Sequence, residues 1–360
     1  MHRILVINPG AMSTKVSLFE DEMERFSATL PAPDGAPERD SVLAQYAPRR
    51  DAVLAQLERW GMSVDALDAV VGRGGMLPPV SGGTYRVNQR MVEEMLTPGE
   101  REHASNLGAP LAAAIAAQSN IPAFIVDPVS VDEFEPLARV SGLPEIERRS
   151  MSHALNLRAM ARRGAKHLGQ PYAAVNLVVV HLGSGISVSA HRRGRMIDVN
   201  QALDGTGPFA PERAGGLPVG DVMRMAFSGQ YTYAEMFRRI TRRGGLAAHL
   251  GTNDAREVER RITAGDDHAR LIYEAMAYQI AKEIGAMATV LHGDVQAVIL
   301  TGDLARSQML IEWVQARTAW IAPVVVFPGQ MEMLAMAQGA LRVLRGQEQA
   351  KEYPDDVDVG

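Results

Sequence analysis

The sequence predicts an α/β protein made of two related domains, and three observations lead there. Near the middle, Val178-Val179-Val180-His181-Leu182-Gly183-Ser184-Gly185-Ile186-Ser187-Val188 reads as a buried strand, a glycine turn and an alternating strand. A second copy stands near the start, where Ile4-Leu5-Val6-Ile7-Asn8-Pro9-Gly10 enters a turn and Lys15-Val16-Ser17-Leu18-Phe19 leaves it. Each copy runs from an apolar strand through one polar residue (Asn8, His181), a spacer and a glycine into a second strand, so each half of the chain opens alike. Third, buried-strand patterns alternate with helical ones over 360 residues, ample length for two cores. Strand–glycine–strand is neither a Walker loop nor a dinucleotide fingerprint, in which the glycines run into a helix. Outward N–H groups of such a hairpin can still hold a phosphate. Two such hairpins are expected to face one cleft.

Composition narrows the function class. The chain is 46% hydrophobic and 22% charged, as a globular protein is. A net charge of −5 offers no electrostatic basis for binding nucleic acid or an acidic membrane. With no cysteine there is neither a disulfide nor thiolate chemistry. Met1-His2-Arg3 leads directly into the first strand, so no signal peptide is expected. No apolar run approaches the ~18 residues of a membrane helix, and a cytoplasmic protein is expected.

In chain order, Pro31-Ala32-Pro33-Asp34-Gly35 predicts a loop, and two helical patterns follow, ending at Trp60 with Gly61 as the residue past the helix end. Ala69-Val70-Val71-Gly72-Arg73-Gly74-Gly75 predicts a buried strand whose glycine turn carries one arginine, placed to meet a carboxylate in two-point contact. His103-Ala104-Ser105-Asn106 precedes an alanine-rich helix from Ala109 to Ala117. Ile121 to Val126 is a strand ending in Asp127-Pro128, where open α/β sheets place ligand chemistry and where a turn also wants aspartate. Ser152 to Leu168 reads as an amphipathic helix linking the halves, with Arg158, Arg162, Arg163 and Lys166 on a solvated face.

Beyond the second hairpin, Asp204 to Pro218 is long, irregular and glycine-rich, with Arg213 among small residues as Arg73 is. Val219 to Leu291 is helical, and Tyr273, Met276, Tyr278 and Met287 recur at core spacing. Ala297 to Leu304 is a strand entering a turn at Gly302-Asp303 and then a helix, a geometry that can meet a phosphate or nucleoside. Val324 to Phe327 is the last strand and Met331 to Leu344 the last helix, with Glu332 in its first turn, where the helix dipole favours a carboxylate. The acidic tail from Glu348 is expected to fray.

Six segments then fall into one ordered pattern: Ile7 to Gly10, Gly72 to Gly75, Asp127 to Val129, His181 to Gly185, Glu212 to Pro218 and Phe327 to Leu334. Together they resemble the butyrate kinases, the short-chain acyl branch of the acetate kinase family, and the resemblance runs to about Gly346. It implies two ribonuclease-H-like (actin-like ATPase) domains around a nucleotide-binding cleft. Residues 1–150 with 330–346 would form the first domain, 151–329 the second, on the nucleotide and dimer side, and 347–360 an acidic tail. The implied activity is carboxyl phosphorylation, butanoate + ATP giving butanoyl phosphate + ADP. The implied ligands are ATP or ADP, Mg²⁺ and a short-chain carboxylic acid, with a homodimer or higher homo-oligomer as the assembly.

The resemblance also implies roles. Asn8 lies by the metal and phosphates, and Glu332 helps organise the metal. Arg73 and His103 serve the acid's carboxylate, Asp127 belongs to the catalytic centre, and His181 and Arg213 stabilise the transferring phosphoryl group. Gly10, Ser13, Lys15, Gly183, Ser184, Gly185 and Gly302 line the nucleotide and its phosphates. Two departures stand out: Ala11-Met12 replaces hydroxyl donors in the first turn, leaving Ser13, Thr14 and Lys15, and Gly302 is followed by Asp303 where the family has a second glycine. The competing readings are a kinase for branched, propionate-sized or acetate-sized acids and, in another class, a nucleotide-binding regulator without turnover.

Overall fold

The computed structural model of the protein describes residues 1–32, 42–97, 99, 102–203 and 205–354. Pro33, Asp34 and Gly35 of the expected loop, Asp204 and the last residues of the acidic tail lie outside them. The described chain divides into two compact units: Met1–Asp132 with residues 331–354, and Glu133–Gln330.

In the first unit, β1 (Arg3–Pro9), β2 (Ser13–Glu20) and β3 (Met23–Pro31) form an antiparallel meander. Then come α1 (Tyr46–Arg59), β4 (Ala69–Arg73), β5 (Thr84–Arg86), α2 (Gln89–Leu96), α3 (Gly108–Ala116) and β6 (Ala123–Val126). The sheet order is β3-β2-β1-β4-β6-β5, with β1, β4 and β6 parallel. Continuous apolar runs such as Ile4 to Ile7 become central strands because both faces are covered. Leu5, Ile7, Val16, Leu18 and Val70 pack with Val53 and Leu57 of α1 and with Leu111 and Ile115 of α3. Gly61, just past α1, takes φ +71°, the left-handed conformation of a helix terminator.

In the second unit, α4 (Pro136–Arg139) and α5 (Ala154–His167) precede a second antiparallel meander, β7 (Asn176–Leu182), β8 (Ile186–Arg192) and β9 (Arg195–Val199). Five helices follow: α6 (Val219–Ala226), α7 (Tyr233–Thr241), α8 (Gly245–Leu250), α9 (Ala255–Thr263) and α10 (Asp267–Val290). Next come β10 (Ala297–Gly302), α11 (Gln308–Thr318) and β11 (Val324–Pro328), after which α12 (Glu332–Leu344) belongs to the first unit. The sheet order is β11-β10-β7-β8-β9, and β10 runs parallel to both β7 and β11. β1 and β7 therefore hold equivalent places, each antiparallel to the strand after it and parallel to a later one.

Several expectations are corrected. Each hairpin gains a third strand, β3 and β9; β3 (MERFSATLP) is an exposed edge whose composition lacks apolar alternation. The first passage between units falls at Asp132–Glu133, not near Ser150, because 133–150 is tied to the second unit: Glu133 pairs with Arg158 at 2.6 Å and Arg148 with Asp198 at 2.8 Å. Arg158 is accordingly buried and paired rather than solvated, since its turn of α5 faces that segment. Tyr278 lies on the outer side of α10 and is exposed, whereas Tyr273, Met276 and Met287 are core. The beginning of the tail packs as well: Lys351 bridges to Tyr85, Glu348 Oε1 accepts the Thr84 N–H at 3.0 Å, and Tyr353 is buried.

Candidate active site

In the first unit, β1 carries Asn8 to the strand end, and the antiparallel register sets Lys15 opposite it on the same face of the sheet. Asn8 Nδ2 donates to Glu332 Oε2 at 3.0 Å, and the same oxygen pairs with Arg73 Nη1 at 2.6 Å. The residues expected to serve metal and acid separately thus form one cluster. Arg73 emerges from β4, whose end is packed so closely on the start of α3 that a β-carbon on Gly72 would overlap the Gly108 carbonyl. Its Nε is buried without a hydrogen-bond partner among the described residues.

Asp127 follows Val126, the register partner of Arg73. It is buried with φ +39°, a left-handed conformation unusual for a side-chain-bearing residue. Reciprocal bonds hold it there: Gly83 N–H donates to Asp127 Oδ1 at 2.8 Å and Asp127 N–H to the Gly83 carbonyl at 3.0 Å. His103 caps a short 3₁₀ turn, its Nδ1 accepting the Ser105 N–H at 3.2 Å, which puts the ring proton on Nε2. Asn106, two residues inside that turn, accepts the Met76 N–H at 2.9 Å and so ties it to the glycine turn after Arg73.

The β1–β2 turn closes with Gly10 N–H donating to the Ser13 carbonyl at 2.7 Å, leaving Lys15 exposed and Ser13 half-buried. Behind it lies Arg49 of α1, which sequence reasoning missed. Arg49 is buried, and its guanidinium holds the Ala11 and Ser13 carbonyls and Thr14 Oγ1. Burial holds its pKa below the usual arginine value. An arginine beside Arg50 near the start of a helix reads as a surface charge, so nothing in the sequence marked it.

In the second unit, His181 is buried at the end of β7. Its Nδ1 donates to Asn156 Oδ1 at 3.0 Å, and its ring stacks on His153 with centroids 4.0 Å apart. With Nδ1 so engaged, Nε2 faces the turn and stands 2.8 Å from where a β-carbon on Gly183 would be. Arg213 reaches the same turn from the loop after β9, anchored by Nη1 donating to the Ala202 carbonyl at 2.6 Å. Its guanidinium lies directly against the α-carbon of Gly185, where any side chain would overlap Nη1. Ser184 at the turn's tip is exposed. Gly302, at φ +95°, fits against the Leu182 carbonyl, which no β-carbon would allow, and exchanges backbone bonds with Gly329. Asp303 accepts from Gln330 Nε2 at 3.0 Å. His181, Arg213, the 183–185 turn and Gly302 are thus one cluster of an imidazole, a guanidinium and bare backbone, a set that can meet an oxyanion such as a phosphoryl group.

Among the described residues no group of three or more His, Asp or Glu is arranged to hold a metal. Mg²⁺ does not need one: it is commonly held by one or two carboxylates with substrate phosphates and water. Glu332 beside Asn8 is a donor set of that kind.

The acetokinase family model matches residues 146–317, which include His181, Arg213 and Gly302. The fold resembles that of Porphyromonas gingivalis acetate kinase, with a TM-score of 0.78 at 19% identity over 96% of this chain and 100% of that one. A propionate kinase from Francisella tularensis gives 0.74 at 17% identity over 94% and 99% of the two chains. Entamoeba histolytica acetate kinase gives 0.72 at 14% identity over the same shares. At such identities the likeness speaks for the fold, and the fold is that of two ribonuclease-H-like, actin-like units.

Proposed function

We propose that this chain is a carboxylate kinase, transferring a phosphoryl group reversibly between ATP and a short-chain carboxylic acid, with butanoate as the acid. The observation that carries the reading is the pair His181 and Arg213 on one glycine turn, inside the segment matched by the acetokinase family model. A carboxylate is a nucleophile at neutral pH, so the reaction needs no strong base. It needs two anions held in line and charge on the phosphoryl oxygens neutralised as the acid oxygen bonds to phosphorus and the bond to ADP breaks.

In this reading the Nε2–H of a protonated His181 and the Arg213 guanidinium take that charge, with Asn156 fixing the imidazole's orientation. Arg73 receives the acid's carboxylate; the Glu332 carboxylate it carries in the structure supports that choice, because an incoming acid would compete for the same guanidinium. His103 serves the same carboxylate and Asp127 positions the reacting groups. Gly10, Ser13, Lys15, Gly183 to Gly185 and Gly302 receive the nucleotide and its phosphates. Glu332 and Asn8 would hold Mg²⁺, whose contribution is to neutralise phosphate charge.

The departure from the family at Asp303 has a physical answer, since its carboxylate is engaged with Gln330. Butanoate rests on the six-segment resemblance. The neighbours named as acetate and propionate kinases favour a smaller acid as the second choice. We further propose a cytoplasmic homo-oligomer joined through the second unit, supported by α6, none of whose residues is buried, and by exposed Val219, Met223, Phe227 and Tyr233.

Trapping acyl phosphate as the hydroxamate, with ATP, Mg²⁺ and acids from acetate to pentanoate, tests the activity and the choice of acid. The highest kcat/KM is expected with butanoate. A maximum at acetate or propionate would reassign the acid, and no hydroxamate with any acid would remove the kinase reading.

A further inference from the structure

The two fully buried arginines of the described residues are treated differently. Arg158 has the Glu133 carboxylate at 2.6 Å. Arg49 has no carboxylate among the described residues: Nε and Nη2 donate to Gln45 Oε1 at 3.0 and 2.7 Å, Nη1 to the Ser13 carbonyl at 3.2 Å and Thr14 Oγ1 at 2.8 Å, and Nη2 also to the Ala11 carbonyl at 3.2 Å. Its donors are met by neutral acceptors, so its hydrogen bonding is satisfied while its charge is not. A buried, uncompensated cation is costly to a fold, and this one is spent on the turn expected to meet phosphate. Because carbonyl and following N–H point oppositely across a trans peptide, holding the Ala11 carbonyl toward Arg49 turns the Met12 N–H away from it. That is the outward donor a phosphate needs where Ala11 and Met12 supply no hydroxyl.

We propose that Arg49 is a positioning residue for polyphosphate: it fixes the β1–β2 turn through its carbonyls and lends its uncompensated charge to an anion bound on the turn's outer side. The proposal rests on the kinase reading for the identity of that anion, the nucleotide's phosphates. It acts through the backbone, so Arg49 itself touches no substrate.

The discriminating variant is Gln45→Glu, which keeps the shape and the two accepted bonds but puts a carboxylate on Arg49. A merely structural role predicts equal or higher thermal stability with unchanged ligand affinity. The proposal predicts the same stability, with dissociation constants for ADP and for inorganic tripolyphosphate raised on the order of tenfold by cancelling one nearby charge. Calorimetric titration and a melting curve supply both readouts, and the KM for the acid should not move. An unchanged affinity for both anions overturns the proposal. If Gln45→Glu fails to fold, Arg49→Lys and Arg49→Met are compared: the lysine variant, which keeps the charge, should bind both anions more tightly than the methionine variant, and equal affinities overturn the proposal. If none of the three folds, the role is structural and the proposal falls. The kinase reading fails separately: a wild-type protein that binds ADP but phosphorylates no acid ends that reading and leaves the Arg49 comparison intact. Wild-type protein binding neither ADP nor tripolyphosphate overturns the Arg49 role.

Discussion

Single side chains at the candidate site depend on their supports as much as on their own chemistry. Arg213 is anchored at one Nη by the Ala202 carbonyl and rests on Gly185. Arg213→Ala should lower kcat on the order of 10³-fold, as loss of a transition-state arginine does, while the KM for ATP changes little; a kcat near that of the wild type would remove the role. Gly185→Ala should reproduce much of this loss without touching Arg213, because the added methyl displaces the guanidinium. Its melting temperature should stay close to the wild-type value, which a thermal scan beside steady-state kinetics checks. Arg73→Leu should act on the other substrate, raising the acid's KM roughly 10- to 100-fold, the range for losing a charge-assisted hydrogen bond of about 1.5–3 kcal/mol. An acid KM left unmoved would take Arg73 out of carboxylate recognition.

At the scale of elements, β8 carries a buried polar chain with a pH signature. His191 is fully buried, accepting from Tyr172 OH at Nδ1 (2.7 Å) and donating from Nε2 to Ser189 Oγ (2.9 Å), whose own proton goes to the Val179 carbonyl. Burial first, and the nearby Arg158 charge second, hold its pKa at about 3 against an ordinary 6.5. Between those values the unfolded chain binds a proton that the folded one does not, so this group's contribution to stability is complete above pH 6.5 and is lost as pH falls toward 3. The slope is at most about 1.4 kcal/mol per pH unit. Urea unfolding at several pH values should show His191→Gln flattening that slope, with the wild-type and variant curves converging on acidification; parallel curves would mean that His191 does not titrate between the two states.

For the whole molecule, the chain crosses between units twice, at Asp132–Glu133 and at Gln330–Met331. The second unit leaves an apolar surface on α6 and α7, with Phe227 and Tyr233 more than four-fifths exposed. Surfaces of this kind mark association sites. Sedimentation at micromolar concentration should therefore find a species heavier than the 39.0 kDa chain, and Phe227→Glu with Met223→Glu should shift it toward monomer. A wild-type protein sedimenting as a monomer would remove the oligomer.

The α/β class, the paired hairpins and most central elements could be read from the residues alone, because buried strands and glycine turns leave local signatures: Ile4 to Gly10, Val178 to Gly185 and Ala297 to Gly302 are each written in contiguous residues. Arg73 and Arg213 stood out as well, because an arginine in a glycine-rich loop has little local reason to be there. Which residues touch became visible only once the chain was folded. The Asn8–Glu332–Arg73 cluster joins residues from the two ends of the chain, and no local pattern encodes such a separation. The burial of Arg49 and Arg158 was hidden for a related reason: a charge on an amphipathic helix looks solvated until the segment packed over it is known. β3 escaped because an exposed edge strand needs no apolar alternation, and the packing of Lys351 and Tyr353 escaped because an acidic composition reports hydration rather than the backbone bonds a neighbouring strand can offer.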